Sequence, residues 1–388
     1  MVGLLGDLAR ADGCRSGMKS NLRSRCGCAL AHSPAGVDVG RRGWLGRVAA
    51  VGATALAGCA VPSVRLLPLA SVEKDERIDV HHHLSPPAWL RAMRQTGQPL
   101  AGLAESWTPE GSLADMDRAG IRTAMLSITQ PGIFFPGRDL EMGRRVARES
   151  NEYGARLVAD HNGRFGLFAS LPLTDIDGSL RAIEHAFDDV RADGICLMTS
   201  YGDTWLGDAS FTPVMEELDR RKAVIYTHPT SANCCTKLQP GIPPTMIEFG
   251  TDTTRAIASV LFSGTAARFP NIRWIFSHAG GTMPYLIERF TRQASVDPRS
   301  ALLMPKGVEA HIADFYYDTA QSSNAATMTA LSKVVPASQI VLGSDFPYRS
   351  ALATVQGLRS SGAFTSEELQ RIERGTAALL FPAIPRSG

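Results

Sequence analysis

The heptapeptide RIDVHHH, residues 77–83, opens the region in which short apolar runs alternate with amphipathic segments. Because side chains alternate between the two faces of a strand, His81 and His83 project to one face and His82 to the other. One strand end therefore offers two imidazoles to the same space. Parallel strands bring their carboxyl ends to one edge, so this stretch predicts a sheet with a histidine-containing edge.

Seven further apolar runs follow the first run, Arg77–Val80, and each suits a strand that is covered on both faces. Amphipathic segments separate the runs, which is the pattern of parallel βα units. Eight such units predict an α/β fold, a (β/α)8 TIM barrel. A doubly wound open sheet is the alternative, but no Gly-rich phosphate loop follows the early strands. The seven runs are Arg122–Ile128, Phe165–Leu171, Gly194–Met198, Ala223–Thr227, Ile272–Ser277, Phe315–Asp318 and Gln339–Gly343.

Polar residues also follow three later strands at the same end of the predicted barrel. His228 ends the fifth strand, His278 ends the sixth, and Asp345 follows the eighth. With the histidines of the first strand they converge on the mouth where barrel enzymes carry out their chemistry. Imidazoles with a carboxylate suit Zn²⁺ or another divalent first-row metal with one position left open. His82 takes the place of a neighbouring histidine if the strand register shifts by one residue.

Three motifs in this order resemble those of the amidohydrolase superfamily. Residues 78–83, IDVHHH, are similar to its D-x-H-x-H opening. Residues 276–281, FSHAGG, and 342–347, LGSDFP, resemble later motifs of the branch typified by aminocarboxymuconate semialdehyde decarboxylase. The resemblance covers roughly residues 77–382 and implies a barrel of the metal-dependent hydrolase type. Residues 201–208 and 315–320 are similar to 6-methylsalicylate decarboxylase-like proteins.

The resemblance also implies which residues bind metal. It places His278 outside the metal ligands, as an acid/base and substrate-orienting group. Members with two metals commonly use a carboxylated lysine at the end of the fourth strand, and residues 195–199, ICLMT, contain none. We therefore expect a single divalent ion, Zn²⁺ first and Mn²⁺ as the alternative. Its implied ligands are His81, His83, His228 and Asp345.

The expected reaction is the non-oxidative removal of CO2 from an aromatic, hydroxybenzoate-like acid by a metal-dependent carboxy-lyase. The metal would stabilise the developing charge, Asp345 would protonate the ring carbon, and His278 would polarise the substrate or activate water. The same ligands suit a hydrolase of lactones, esters or amides, in which Asp345 or His278 takes the proton of the attacking water. A non-catalytic exported binding protein is the third alternative.

A decarboxylase of this kind needs a flat slot lined by aromatic side chains. Packing within the fold is the alternative role for each candidate. The proline-containing loop 229–250 and the stretch Leu84–Pro109 are expected to cover the slot. The candidates for its lining are Trp107, Phe134, Trp205 and Tyr348.

Composition and periodicity divide the chain into three parts. The chain has 388 residues, a formal net charge of +2 and 44% hydrophobic residues, so no bias towards nucleic acid or disorder is present. Residues 1–59 are predicted to be an export leader, residues 60–76 a linker and residues 77–388 the catalytic domain. The expected partner is a small carboxylic acid, not nucleic acid. A homodimer formed through helical faces is the expected assembly if the chain does not act as a monomer.

Two stretches of the predicted leader resemble signals of exported proteins. Arg41 and Arg42 precede an apolar, small-residue run at 48–57, an order that resembles a twin-arginine signal. Residues 56–59, LAGC, resemble a lipobox, so Cys59 either carries a lipid anchor or follows an ordinary cleavage after the alanine. The expected location is the periplasm, free or as a membrane-anchored lipoprotein, and the cytoplasm if the leader is a start-site artefact.

Overall fold

Eight parallel strands form the central sheet. The structure, a computed structural model, describes residues 76–235 and 241–384, so the predicted leader, almost all of the linker and Cys59 lie outside the described residues. The barrel strands pair in the order β1-β2-β3-β4-β7-β8-β9-β10. The strands are β1 (Arg77–His83), β2 (Ile121–Ser127), β3 (Phe165–Ser170), β4 (Gly194–Met198), β5 (Ser200–Tyr201), β6 (Thr204–Trp205), β7 (Val224–His228), β8 (Arg273–Phe276), β9 (Tyr316–Asp318) and β10 (Ile340–Val341).

The first and last strands meet and close the sheet into a barrel. The backbone N–H of Val80 donates to the carbonyl of Leu342, and that of His83 donates to the carbonyl of Phe346, each at 2.8 Å. A parallel bridge also joins His82 to Phe346. The predicted (β/α)8 architecture is therefore confirmed.

Helices pack around the strands. Helix α4 begins where the Asp139 side chain accepts a hydrogen bond from Met142 N, and α3 is terminated by Gly120, the residue after its last, whose φ of 62° suits glycine. None of the described helices combines the length and apolar composition that a membrane crossing requires. The helices are α1 (Pro87–Thr96), α2 (Gly102–Glu105), α3 (Pro109–Ala119), α4 (Leu140–Asp160), α5 (Ile176–Glu184), α6 (Thr212–Arg220), α7 (Glu248–Phe262), α8 (Thr265–Arg268), α9 (Met283–Val296), α10 (Ser300–Leu303), α11 (Val308–Asp314), α12 (Ala325–Ser332), α13 (Ala351–Ser360), α14 (Ser366–Gln370) and α15 (Thr376–Leu380).

Short helical turns supplement these helices. The π-helical turns are His185–Asp189 and Arg371–Gly375, and the second of them separates α14 from α15. The 3-10 turns are Ala209–Phe211, Asn233–Cys235, Pro244–Met246, His278–Gly280 and Ala337–Gln339.

The last barrel strand is shorter than the predicted run Gln339–Gly343. Gln339 belongs to a 3-10 turn, and the N–H of Leu342 donates to the carbonyl of Ile372 at 2.9 Å instead of to a neighbouring strand. Gly343 N donates to Thr319 Oγ1 at 3.1 Å. After Val341, acceptors from a helical turn and a side chain thus replace those of the neighbouring strand, which apolar patterning alone does not reveal.

A small antiparallel hairpin, β5 and β6, follows β4 and was not predicted. Its strands contain two residues each, too few to show a period in the sequence. Asp252 of α7 accepts hydrogen bonds from the hydroxyl of Ser200 at 2.9 Å and from the indole of Trp205 at 2.8 Å. The hairpin is therefore fixed to α7, next to the end of the barrel that carries the histidines.

A buried cluster of charged residues ties β1 to the C-terminal helical segment. Glu373, 4% exposed, accepts from Arg77 Nε at 2.9 Å and from Arg359 Nε at 2.6 Å. Arg77 also donates to the carbonyl of Ala119 at 2.7 Å. One carboxylate thus balances two guanidinium groups at the amino-terminal end of the first strand.

Replacing Glu373 with alanine is expected to lower the free energy of unfolding by about 3 kcal/mol, because the buried Arg77 would lose its carboxylate partner. Urea unfolding followed by circular dichroism measures this change. The matched control is Glu367→Ala, whose side chain is 87% exposed beside Arg371 and should have little effect. An equal loss of unfolding free energy in the two variants would show that the buried cluster stabilises the fold no more than a surface ion pair does.

Candidate metal centre

Four buried side chains from three parts of the chain place their donor atoms together. His81 Nε2 lies 3.1 Å from His83 Nε2, and Asp345 Oδ1 lies 3.2 Å from the first nitrogen and 3.0 Å from the second. With His228, these residues offer donor atoms that all lie within 4.8 Å of one another. The structure therefore brings together the four residues that the resemblance named.

The outer nitrogens of the three rings are already occupied by acceptors. In each ring the Nδ1–H donates to an oxygen, so a neutral ring presents the lone pair of Nε2 to the shared space. Three nitrogen lone pairs and a carboxylate oxygen converging in a buried space are a donor set that fits a divalent cation. The acceptors for His81, His83 and His228 are, in that order, Asp318 Oδ2 at 2.8 Å, the carbonyl of Ser127 at 3.2 Å and the carbonyl of Pro229 at 2.8 Å.

Carboxylates and imidazoles in this cluster shift one another's pKa values. Burial alone would raise the pKa of Asp345, but His81 and the hydrogen bonds of the imidazoles hold that pKa well below its usual value. Burial and the neighbouring imidazoles keep the pKa of His228 well below its usual value. Burial also opposes charge on His81, yet Asp318 and Asp345 outweigh it and raise the pKa of His81 to about 10. Without a cation, His81 therefore carries a second ring proton and a positive charge at neutral pH.

His278 lies beside the four donors without joining them. Its Nε2 is buried and lies 3.7 Å from Asp345 Oδ2. This nitrogen has no hydrogen-bond partner among the described residues. Its ring stacks on His81 with a centroid distance of 5.3 Å. A buried nitrogen without a partner is costly in a folded protein, and here it faces the space beside the carboxylate. A polar substrate atom can satisfy it.

His82 and Trp107 lie on the opposite face of β1. His82 pairs through Nδ1 with Asp79 Oδ2 at 3.0 Å and through Nε2 with Ser112 Oγ at 2.9 Å. The indole of Trp107 donates to the same Ser112 Oγ at 2.9 Å. Both nitrogens of His82 are therefore used away from the centre, which excludes the alternative strand register. The structure does not bring Trp107 to the centre, because its indole is held on this face.

The other aromatic candidates lie at different distances from the donors. Tyr348 contacts the ring of His83 with a centroid distance of 5.6 Å. Phe134 packs against Tyr201 at 5.8 Å, and Trp205 donates to Asp252. Of the three, Tyr348 alone makes a ring contact with a member of the cluster. Phe134 and Trp205 belong to the hairpin region next to it.

Three residues of this region were not singled out from the sequence. Phe249 packs against His228 at 5.9 Å and lies nearly parallel to His278 at 6.3 Å. Gln321 donates through Nε2 to Asp345 Oδ2 at 2.9 Å. Asp318 ends a barrel strand, so the rule that identified the other polar strand ends could have found it. Phe249 follows a loop and Gln321 lies within one, and no local pattern marks either residue.

Comparison with known proteins agrees with this geometry. The model of the Amidohydrolase family matches residues 78–383. Decarboxylase yanB of Aspergillus niger is 37% identical over 323 residues, which cover 79% of this chain and 88% of that protein. A 6-methylsalicylic acid decarboxylase of Penicillium expansum is 34% identical over 79% of this chain and 97% of its own length.

A solved structure shows the same fold. The dihydroxybenzoic acid decarboxylase from Polaromonas sp. JS666, crystallised with bound manganese and the inhibitor 2-nitroresorcinol, superposes with a TM-score of 0.67 and 20% identity. The superposition covers 80% of this chain and 98% of the Polaromonas decarboxylase chain. The family predicted from the three motifs is confirmed: the chain belongs to the amidohydrolase family.

Proposed function

We propose that this protein removes CO2 non-oxidatively from an aromatic acid that carries a hydroxyl group next to its carboxyl group. The observation that carries the proposal is the unpartnered Nε2 of His278, which faces Asp345 Oδ2 beside a buried set of metal-binding donors. The related proteins named as decarboxylases, at 34–37% identity, support this reaction. Hydrolysis by the same donors is the alternative that the experiments must separate.

We assign metal binding to His81, His83, His228 and Asp345. Three nitrogens and one oxygen are typical of Zn²⁺, while the manganese of the related Polaromonas decarboxylase supports Mn²⁺ as the alternative. When bound, the cation would neutralise the acid group and stabilise the charge that develops as the carbon–carbon bond breaks. Side chains of the protein carry out the proton transfer and orient the substrate.

Asp345 is the proton carrier of the proposed reaction. Its low pKa keeps it ionised at rest, so it can accept the proton of the substrate hydroxyl at Oδ2. Gln321 Nε2 donates to that oxygen and holds it beside His278. Asp345 then delivers the proton to the ring carbon. The electron pair of the breaking carbon–carbon bond forms the new carbon–hydrogen bond, and CO2 leaves.

His278 orients and polarises the substrate. Its Nε2 is free to contact an oxygen of the acid, and its ring is held between His81 and Phe249. Phe249 and Tyr348 contact different histidines of the cluster and offer aromatic faces to a planar ring. The aromatic acid is therefore expected to bind between these two side chains.

Export of the protein by its twin-arginine-like leader remains a prediction, as does lipid attachment at Cys59. Fractionation of cells that express the full chain, together with metabolic labelling by a fatty acid, tests both.

The purified protein, loaded with one metal per chain, is expected to release one CO2 per molecule of an ortho-hydroxybenzoate. His278→Ala and Asp345→Asn should each lower kcat by at least about 100-fold, because each removes a group that acts on the substrate. His278→Ala should retain its metal, whereas Asp345→Asn should bind metal more weakly. If the protein binds metal and cleaves lactones or esters but releases no CO2, the hydrolase alternative is correct.

Phe249→Ala is expected to raise KM about 10-fold with kcat changed by less than about 3-fold, because stacking contributes about 1.4 kcal/mol to binding. Steady-state kinetics over the same acids measures both constants. Tyr285→Ala, which removes an aromatic side chain that is 67% exposed, serves as the control. An unchanged KM in Phe249→Ala would place the aromatic slot elsewhere.

Metal binding to the metal-free protein is expected to release about one proton at pH 7–8. The pKa of His81, raised to about 10, lies above this range, so the ring is protonated there and the cation must displace that proton. Apparent affinity should therefore fall as the pH is lowered. Calorimetric titrations in buffers of different ionisation enthalpy count the protons. Affinity that is independent of pH between 7 and 9 would contradict this charge assignment.

A further inference from the structure

Asp318 is a fully buried carboxylate that lies outside the four metal-binding residues but touches two parts of the centre. It ends β9 and has no exposed surface. Its Oδ2 accepts from His81 Nδ1 at 2.8 Å. Its Oδ1 accepts from the backbone N–H of His278 at 2.8 Å and from that of Ala320 at 3.0 Å. Both oxygens are thus occupied by donors.

Close packing keeps Asp318 against His81. A Cβ added at Gly343 would lie 2.8 Å from the Cβ of His81 and 2.9 Å from the Cβ of Asp318, which is closer than such atoms approach. The absence of a side chain at this position lets the two residues share the space. Their hydrogen bond therefore has little freedom to rearrange.

The bond to His278 supports an unfavourable backbone conformation. His278 has a φ of +54°, in the left-handed region, which costs about 1 kcal/mol or more for a residue with a side chain. The N–H of that residue donates to Asp318 Oδ1, so the carboxylate stabilises the conformation that directs the imidazole towards Asp345.

We propose that Asp318 is a positioning residue that sets the tautomer of His81 with one carboxylate oxygen and the backbone of His278 with the other. The part concerning His81 depends on metal binding alone, while the part concerning His278 rests on the proposed function. A carboxylate suits both tasks because it has acceptors only.

An asparagine at this position cannot do the same. If its amide nitrogen faced His81, the ring would have to accept at Nδ1 and would carry its proton on Nε2, facing the metal donors. If its amide nitrogen instead faced the backbone N–H groups of His278 and Ala320, donors would oppose donors and none of them would have an acceptor. The first arrangement leaves fewer donors unpaired, so Asp318→Asn is expected to reverse the tautomer of His81.

The test is the affinity of the full chain for Zn²⁺ and Mn²⁺ at pH 8, measured by competition with a chelator. Asp318→Asn is expected to bind metal 10- to 100-fold more weakly, the usual effect of losing a partner of a metal-binding histidine. Asp318→Glu keeps two acceptor oxygens and should lose less affinity than Asp318→Asn. Asp318→Ala also removes the acceptor of the His278 N–H, which Asp318→Asn keeps as its amide oxygen, so at saturating metal Asp318→Ala should show a lower kcat.

The matched control is Asp193→Asn. Asp193 is a partly buried carboxylate that also accepts from a backbone N–H, that of Leu167 at 2.9 Å, but it precedes β4 at the opposite end of the barrel. Both variants should lose stability in urea unfolding, whereas metal affinity should fall in Asp318→Asn alone. Metal affinity that is unchanged in Asp318→Asn, or reduced equally in both variants, overturns the inference.

If Asp318→Asn does not fold, Gly343→Ala provides the same comparison by pushing His81 and Asp318 apart while both remain. It too should bind metal at least about 10-fold more weakly, and wild-type affinity in it would overturn the inference. If metal affinity falls as expected while no acid releases CO2 from the wild-type protein, the role at His81 stands and the proposed function fails.

Discussion

The seam between the first and last strands is the interaction on which the centre depends. The N–H of Asp345 donates to the carbonyl of His81 at 2.8 Å, and the hydroxyl of Ser344 donates to Asp79 Oδ2 at 2.5 Å. Ser344 and Asp79 are 265 residues apart in the sequence. Closing the barrel here brings a carboxylate from one end of the domain between two histidines from the other. Without this seam, Asp345 would lie too far from His81 and His83 to share a metal ion with them.

The sequence predicts what period and strand polarity control. His81, His83, His228, His278 and Asp345 could be grouped because alternation and the common direction of parallel strands fix where their side chains emerge. The family resemblance, not the period, separated His278 from the four metal ligands. Trp107 was placed wrongly in the substrate slot, because it lies in the short connection between α2 and α3, whose direction no period in the sequence fixes. The shortened last strand depends on the bond from Leu342 to Ile372, a contact between distant segments that no local pattern contains.

The residues that shape the substrate space were harder to predict for the same reason. Phe249 reaches the histidines only because α7 begins beside them after a long loop, and Gln321 reaches Asp345 only through its backbone conformation, with a φ of +53°. His278 and Asp345 also have positive φ, 54° and 73°. Three consecutive barrel strands are thus followed by left-handed residues with functional side chains. Strain concentrated in this way is typical of sites whose geometry is held by the surrounding fold.

The contact of β10 with Ile372 and the cluster around Glu373 also determine when the centre can form during biosynthesis. The strand that precedes Asp345 is completed by a segment some thirty residues later in the chain, so a nascent polypeptide that ends after Asp345 still lacks the support for its last strand. The donor set is therefore assembled only when nearly the whole barrel has left the ribosome. The early histidines alone cannot form the four-donor site, which needs the supported last strand as well.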